Sequence, residues 1–180
     1  MKKLNLRSLM SSDIKTILAE YDNKNILYKF LIFVVKDTRA NYDHAKYKEI
    51  YIKQNKVLKI LGDLLLGKEV SKKDIRTAAN AAHATASVPS ITARDSSVAY
   101  ATAYAAYAVV NTTTSTVALS AAHATDYAAI STARDSSSAR ATNAPIAAKQ
   151  QEYKNYLIKL ILKENNIKAE VFDILYKGCL

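Results

Sequence analysis

"AAHATASVPSITARDSSVAYAT" occupies residues 81–102, and "AAHATDYAAISTARDSSSARAT" occupies residues 121–142. Fourteen of the 22 positions are identical, with AAHAT and TARDSS kept as unbroken blocks, so one segment recurs at a spacing of 40 residues. A period of that length, long enough for two helices, is the mark of helical-hairpin repeats. Residues 77–148 hold 25 alanines and no glycine. Alanine is the strongest helix former, and its small side chain lets two helix axes approach towards the lower end of the usual ~8–10 Å range. The expected fold is therefore all-α: a helical bundle containing two tandem 40-residue helical-hairpin repeats, capped by flanking amphipathic helices. Two copies are too few for an open solenoid, so the flanks must cover both ends.

Working outward, only three glycines and two prolines in 180 residues argue against a turn-rich β fold, and the length fits one domain. Three zones follow from composition: Lys/Tyr-rich helices over 1–70, the duplicated hairpins over 71–148, and a C-terminal amphipathic helix over 149–180. In the first zone, "SSDIKTILAEYDN" offers Ser12 or Asp13 as an N-cap. "NILYKFLIFVVKDTR" is apolar on nearly all sides, as a central helix should be. Gly62 and Gly67 mark the end of one long helix or two. In the second zone, Ser71 and Asp74 come close to a capping box, so a helix starts near Lys72. Further helices are expected over about 90–110, about 115–130 and from about 132, with Pro145 as a kink or a first turn. In the third zone, Tyr153, Tyr156, Leu157, Leu160 and Ile161 share one helical face, and "AEVFDILYKG" forms a last short helix.

The net charge of +10 lies entirely in the flanks. Residues 1–76 carry 17 basic and 9 acidic side chains (+8), residues 77–148 carry 3 and 3, and residues 149–180 carry 6 and 4 (+2). The plainer reading makes the lysines the wet faces of amphipathic helices; the sharper one docks nucleic acid or another anionic partner on them. One cysteine, Cys179, excludes an intrachain disulfide, and no cysteine pairs suggest a metal site. No cofactor is expected. The most apolar run, "ILYKFLIFVV", is ten residues with a lysine inside, too short to span a bilayer. "MKKLNLRSLMSSDIK" lacks the apolar core of a signal peptide, so a cytoplasmic location is expected.

The repeated residues give the candidate site: His83, His123, Arg94, Arg134, Asp95 and Asp135. His83 falls with Ile75, Ala79 and Ala82 near one helical face, and His123 with Leu119, Ala122 and Ile130, so both rings should turn towards the interior or a cleft. They are read as neutral core histidines or as a shared polar site. Two histidines without a third ligand make no metal case. Thr92 and Thr132 are placed to cap helices, with Asp95 and Asp135 at the third helical position, where a carboxylate favours the positive helix end. The alternative makes Arg94 and Arg134 anion-binding groups at those helix ends. A Ser/His/Asp triad can be spelled from Ser96, His83 and Asp95, but no nucleophile-elbow glycines accompany it, and no enzyme is expected. Tyr100, Tyr104 and Tyr107, at i, i+4 and i+7, form an aromatic stripe that should pack inside.

Over roughly residues 76–149, the runs "RTAANAAHATA", "ARDSSVAYATAYAAYAV" and "SAAHATDYAA" resemble a bacterial family of Ala-rich, all-helical immunity proteins, the immunity-five-like group. The resemblance implies a non-catalytic protein that neutralises a partner toxin by binding it, and it brings no catalytic residues. The sequence departs from that pattern in having Ser and Thr where Arg-Ala pairs stand in the family, and in its basic total. Antidotes to basic nucleases are commonly acidic, so the resemblance does not point to a nuclease as the target.

Overall fold

The computed structural model describes residues 6–21, 23–41, 47–88, 91–111, 113–133 and 143–167. Among these there are eight α-helices and no strand: α1 (Leu6–Ser11), α2 (Ile14–Glu20), α3 (Lys24–Asp37), α4 (Lys48–Leu65), α5 (Lys72–Ala86), α6 (Ala93–Val110), α7 (Thr114–Ala133) and α8 (Asn143–Glu164), with a 3-10 turn at Thr38–Asn41. The all-α expectation holds. Among the described residues no helix is long and apolar enough to cross a membrane. The last short helix expected over 169–178 lies outside the described residues, as does Cys179.

Local chemistry sets the helix ends. Asp13, rather than Ser12, caps α2, its Oδ1 accepting from the Thr16 amide at 2.7 Å. Asn23 caps α3 through the Asn25 and Ile26 amides, and Ser71 caps α5 through the Asp74 amide at 3.0 Å. α4 runs straight through Gly62 as one helix. It stops at Gly67, whose φ of 74° lies in the left-handed region that glycine reaches without a Cβ clash. There the Lys68 amide returns to the Asp63 carbonyl and the Gly67 amide to the Leu64 carbonyl, closing the last turn.

Two kinds of packing meet in the bundle. α3 lies at the centre, against α4, α6, α7 and α8, and buries Ile26, Leu27, Phe30, Leu31, Val34 and Val35. Opposite it α8 buries Tyr153, Leu157 and Ile161, and Phe33 stacks on Tyr156 at 3.8 Å. A polar clasp ties these two helices. The Tyr153 hydroxyl donates to Asp37 at 2.7 Å, and Lys149 pairs with the same carboxylate at 3.0 Å. Burial and the neighbouring Asp37 carboxylate both push the Tyr153 phenol far above its ordinary pKa. Burial works against the Lys149 charge, yet the carboxylates of Glu152 and Asp37 outweigh it and hold its pKa above the usual value. A second buried polar link joins α3 and α4, where the Gln54 amide donates to Thr38 Oγ1 at 2.7 Å.

The other kind of packing is built from alanine. α6 sits between α5 and α7 and backs onto α3 and α4, and 11 of its residues are buried, mostly alanines. α5 and α7 each run antiparallel to α6, so they lie parallel to one another on its two flanks: Asn80 meets Tyr107 while Ser87 meets Tyr100, and Asn111 meets Ser120 while Tyr100 meets Tyr127. The two AAHAT blocks therefore occupy equivalent positions on either side of one helix.

The second expected hairpin is corrected at its link. α7 continues through residues 131–133, and the Thr132 hydroxyl donates back to the Ala128 carbonyl at 3.1 Å, so Thr132 is a helix-interior residue and not a cap. The cause is visible in the copies themselves: α5 stops at Ala86 ahead of Ser87-Val88-Pro89, whereas the second copy has Tyr127-Ala128-Ala129 there and no proline to end the helix. Pro145 then falls in the first turn of α8, which begins six residues before the zone boundary expected at 149.

Candidate functional site

α6 presents a single line of large side chains, Tyr100, Tyr104 and Tyr107, between its two neighbours. The line is half-buried at the surface, not packed inside as its hydrophobic periodicity suggested. The correction has a steric origin. Where alanines hold helix axes close there is no volume for a phenol ring, so the one line that carries rings must face the groove above α6. The same rule decides α7. Its buried face is Ala118, Ala121, Ala124, Thr125 and Ala128, while Leu119, expected inside, is 41% exposed, and Ala122 and Ile130 are only part-buried. Side-chain volume, not apolarity, selects which face enters an alanine-packed layer.

Both histidines join this line from its two sides. His83, part-buried on α5, stands edge-on to Tyr100 with centroids 5.1 Å apart and near Tyr107 at 6.5 Å. His123 on α7 lies 5.1 Å from Tyr104 with 43% of its side chain exposed, so neither ring is a core histidine. Tyr127 completes the group, stacked nearly parallel on Tyr104 at 5.5 Å and tilted against Tyr100 at 4.9 Å. Six rings thus form one continuous strip across α5, α6 and α7. Aromatic pairs at such separations attract each other by about 0.5–1.5 kcal/mol beyond their buried area.

The polar ends of the strip are largely tied down. Tyr107 donates to Asn80 Oδ1 at 2.8 Å, and the Tyr100 hydroxyl lies 3.5 Å from Ser87 Oγ. Burial, then the nearby Tyr104 phenol, raises the pKa of Tyr107; burial and the neighbours Tyr104, Tyr100 and Asp126 do the same for Tyr127. Both phenols accordingly stay protonated across physiological pH. Asp126 supplies a carboxylate at the edge, 3.9 Å from His123 Nδ1 and accepting from Gln150 Nε2 at 2.8 Å.

Compared with known proteins, the chain matches no family model, no curated protein and no solved structure.

The remaining sequence candidates do not converge on the strip. Thr92 caps α6, accepting from the Asp95 amide at 3.2 Å and donating to the Asp95 carboxylate, which is buried. This is a capping arrangement and leaves Asp95 engaged. Arg94, beside it, has a buried Nε that no acceptor reaches among the described residues. Arg134 and Asp135 lie outside the described residues. The letters of the triad also go separate ways: Ser96 donates to the Ala86 carbonyl at 2.8 Å, Asp95 holds Thr92, and His83 packs on tyrosines. Among the described residues no group of three metal-ligating side chains comes together.

Tyr127, Asp126 and Asn80 escaped the sequence reading. A signal for Tyr127 existed. It replaces Ser87 in the second copy, four residues after His123, and both residues at this repeat position touch Tyr100, one from each flank.

Proposed function

We propose that this chain is a non-catalytic binding protein of the cytoplasm, and that a partner protein docks on the tyrosine–histidine strip of α5, α6 and α7. The observation that carries the reading is the continuity of six part-buried rings on the surface, with the Asp126 carboxylate at their edge. Tyrosine gives large, rigid, amphipathic contact area at little conformational cost, which is why it dominates binding hot spots. The resemblance to immunity proteins narrows the partner to a toxin that is neutralised by being covered. Co-expression with a toxin-domain product of the neighbouring gene tests this: the chain should bind it and protect cells. Tyr100→Ala combined with His123→Ala should weaken binding at least about thirty-fold, the size of a hot spot, while circular dichroism shows the helices intact. Absence of binding by the natural chain, or undiminished binding by the variant, refutes the proposal.

A second reading, docking of nucleic acid, draws on Lys48, Lys56 and Lys73, which are exposed and pair with no carboxylate among the described residues. It requires affinity for DNA or RNA that falls steeply with added salt, and absence of binding at low salt removes it.

A further inference from the structure

Away from the strip, a cavity of about 410 Å³ opens where α3, α5 and α7 begin and α6 ends. Its size falls within the roughly 300–1,000 Å³ typical of small-ligand pockets. The floor is apolar, made by Leu18, Leu27, Val109 and Val117. The rim is different in kind. Lys24 and Lys72 stand on it, and neither makes an ion pair among the described residues. Two phenols add donors. Tyr28 has no hydrogen-bond partner among the described residues, and burial raises its pKa, so it keeps its proton. Tyr21 accepts from Asn165 Nδ2 at 3.4 Å, which leaves its own hydrogen free to donate. No described carboxylate lines the cavity. Lys24, Lys72 and Thr114 are each the first residue of a helix, so the partial positive charge of three helix ends adds to the two ammonium groups.

The cleft beside His123 shows what an already satisfied site looks like. There Asp13 holds the Thr16 amide, Lys154 donates to the Met10 carbonyl and Asp126 takes Gln150. At the α3/α5/α7 cavity the cations and phenol protons have no such internal acceptors among the described residues.

We propose that this cavity binds a small organic anion with an apolar body, its charged group held by Lys24 and Lys72 with the Tyr21 and Tyr28 hydroxyls, and its body on the Leu27–Val109–Val117 floor. Carboxylates and phosphate monoesters share this chemistry, and a titration separates them. Methyl signals of the full-length chain are followed by NMR as octanoate, phenyl phosphate, octanol and inorganic phosphate are added in turn. Octanoate or phenyl phosphate should bind saturably and shift the methyls of Leu27, Val109 and Val117, and the tighter of the two identifies an alkyl carboxylate or an aryl phosphate. Octanol lacks the charge and inorganic phosphate the apolar body, so each should bind at least about ten-fold more weakly. Both lysines are exposed on first helical turns, so Lys24→Gln with Lys72→Gln should keep the unfolding midpoint yet weaken anion binding at least about ten-fold. The proposal is overturned by the absence of saturable anion binding at millimolar concentrations, by octanol or inorganic phosphate binding equally well, by shifts confined to methyls elsewhere, or by undiminished binding in the double variant.

Discussion

α3 buries Ile26, Leu27, Phe30, Leu31, Val34 and Val35, while α6, also an enclosed helix, buries six alanines with Asp95, Ser97 and Thr102 among them. In the α3–α8 layer, large side chains fill the space between helices, and each fully buried aliphatic or Phe side chain contributes about 1.5–3 kcal/mol. In the α5–α6–α7 layer, close approach takes the place of large side chains. Buried hydroxyls then cost little, because they return hydrogen bonds to the preceding turn, as Thr102 does to the Val98 carbonyl at 2.9 Å. The difference teaches why the surface tyrosines exist: a layer with no internal room for rings exports them to its groove, and a binding strip results.

Opposite substitutions should separate the two layers. The largest effect is expected for Phe30→Ala, a truncation in the aliphatic layer, which should lower unfolding free energy by about 3–5 kcal/mol in denaturant titration. The alanine layer should instead resist enlargement. Ala105→Leu should cost about 1–3 kcal/mol through overpacking. The exposed Ala84→Leu should change stability by less than about 0.5 kcal/mol. Equal tolerance of leucine at both sites would erase the contrast.

Smaller effects sharpen it. Tyr153→Phe removes one hydrogen bond to Asp37 and should cost about 1–1.5 kcal/mol near neutral pH. Its pH dependence carries a definite sign. The folded phenol keeps its proton well beyond the ordinary value of 10.0, whereas the unfolded chain releases it near that value. The contribution is therefore complete below pH 10 and is lost as pH rises beyond it, so natural protein should lose stability faster than Tyr153→Phe in alkaline solution. Last, Thr92→Ala removes the cap of α6 and should cost about 1 kcal/mol.

Local signals were the legible part of the sequence. Ser71, Thr92 and Asp13 stand where their short polar side chains reach amides three residues on, and a helix starts at each. The apolar run of α3 likewise announced a central helix. The face of α5 was legible too, since Ile75, Ala79 and Ala82 are buried as expected. The faces of α6 and α7 were not, because apolarity scarcely varies around those helices and volume makes the choice. That is why Leu119 and the tyrosine row were turned the wrong way. Thr132 misled for another reason: its block is identical to that of Thr92, and the difference lies upstream, where Pro89 has Ala129 as its counterpart.

The strip rests on two copies of AAHAT straddling one tyrosine-bearing helix. Nuclear Overhauser contacts between ring protons, recorded in solution, probe that placement head-on. Cross-peaks should join His83 to Tyr100 and, separately, His123 to Tyr104, matching centroid separations of 5.1 Å in each pair. Spectra in which either imidazole shows no contact with its tyrosine would contradict the account.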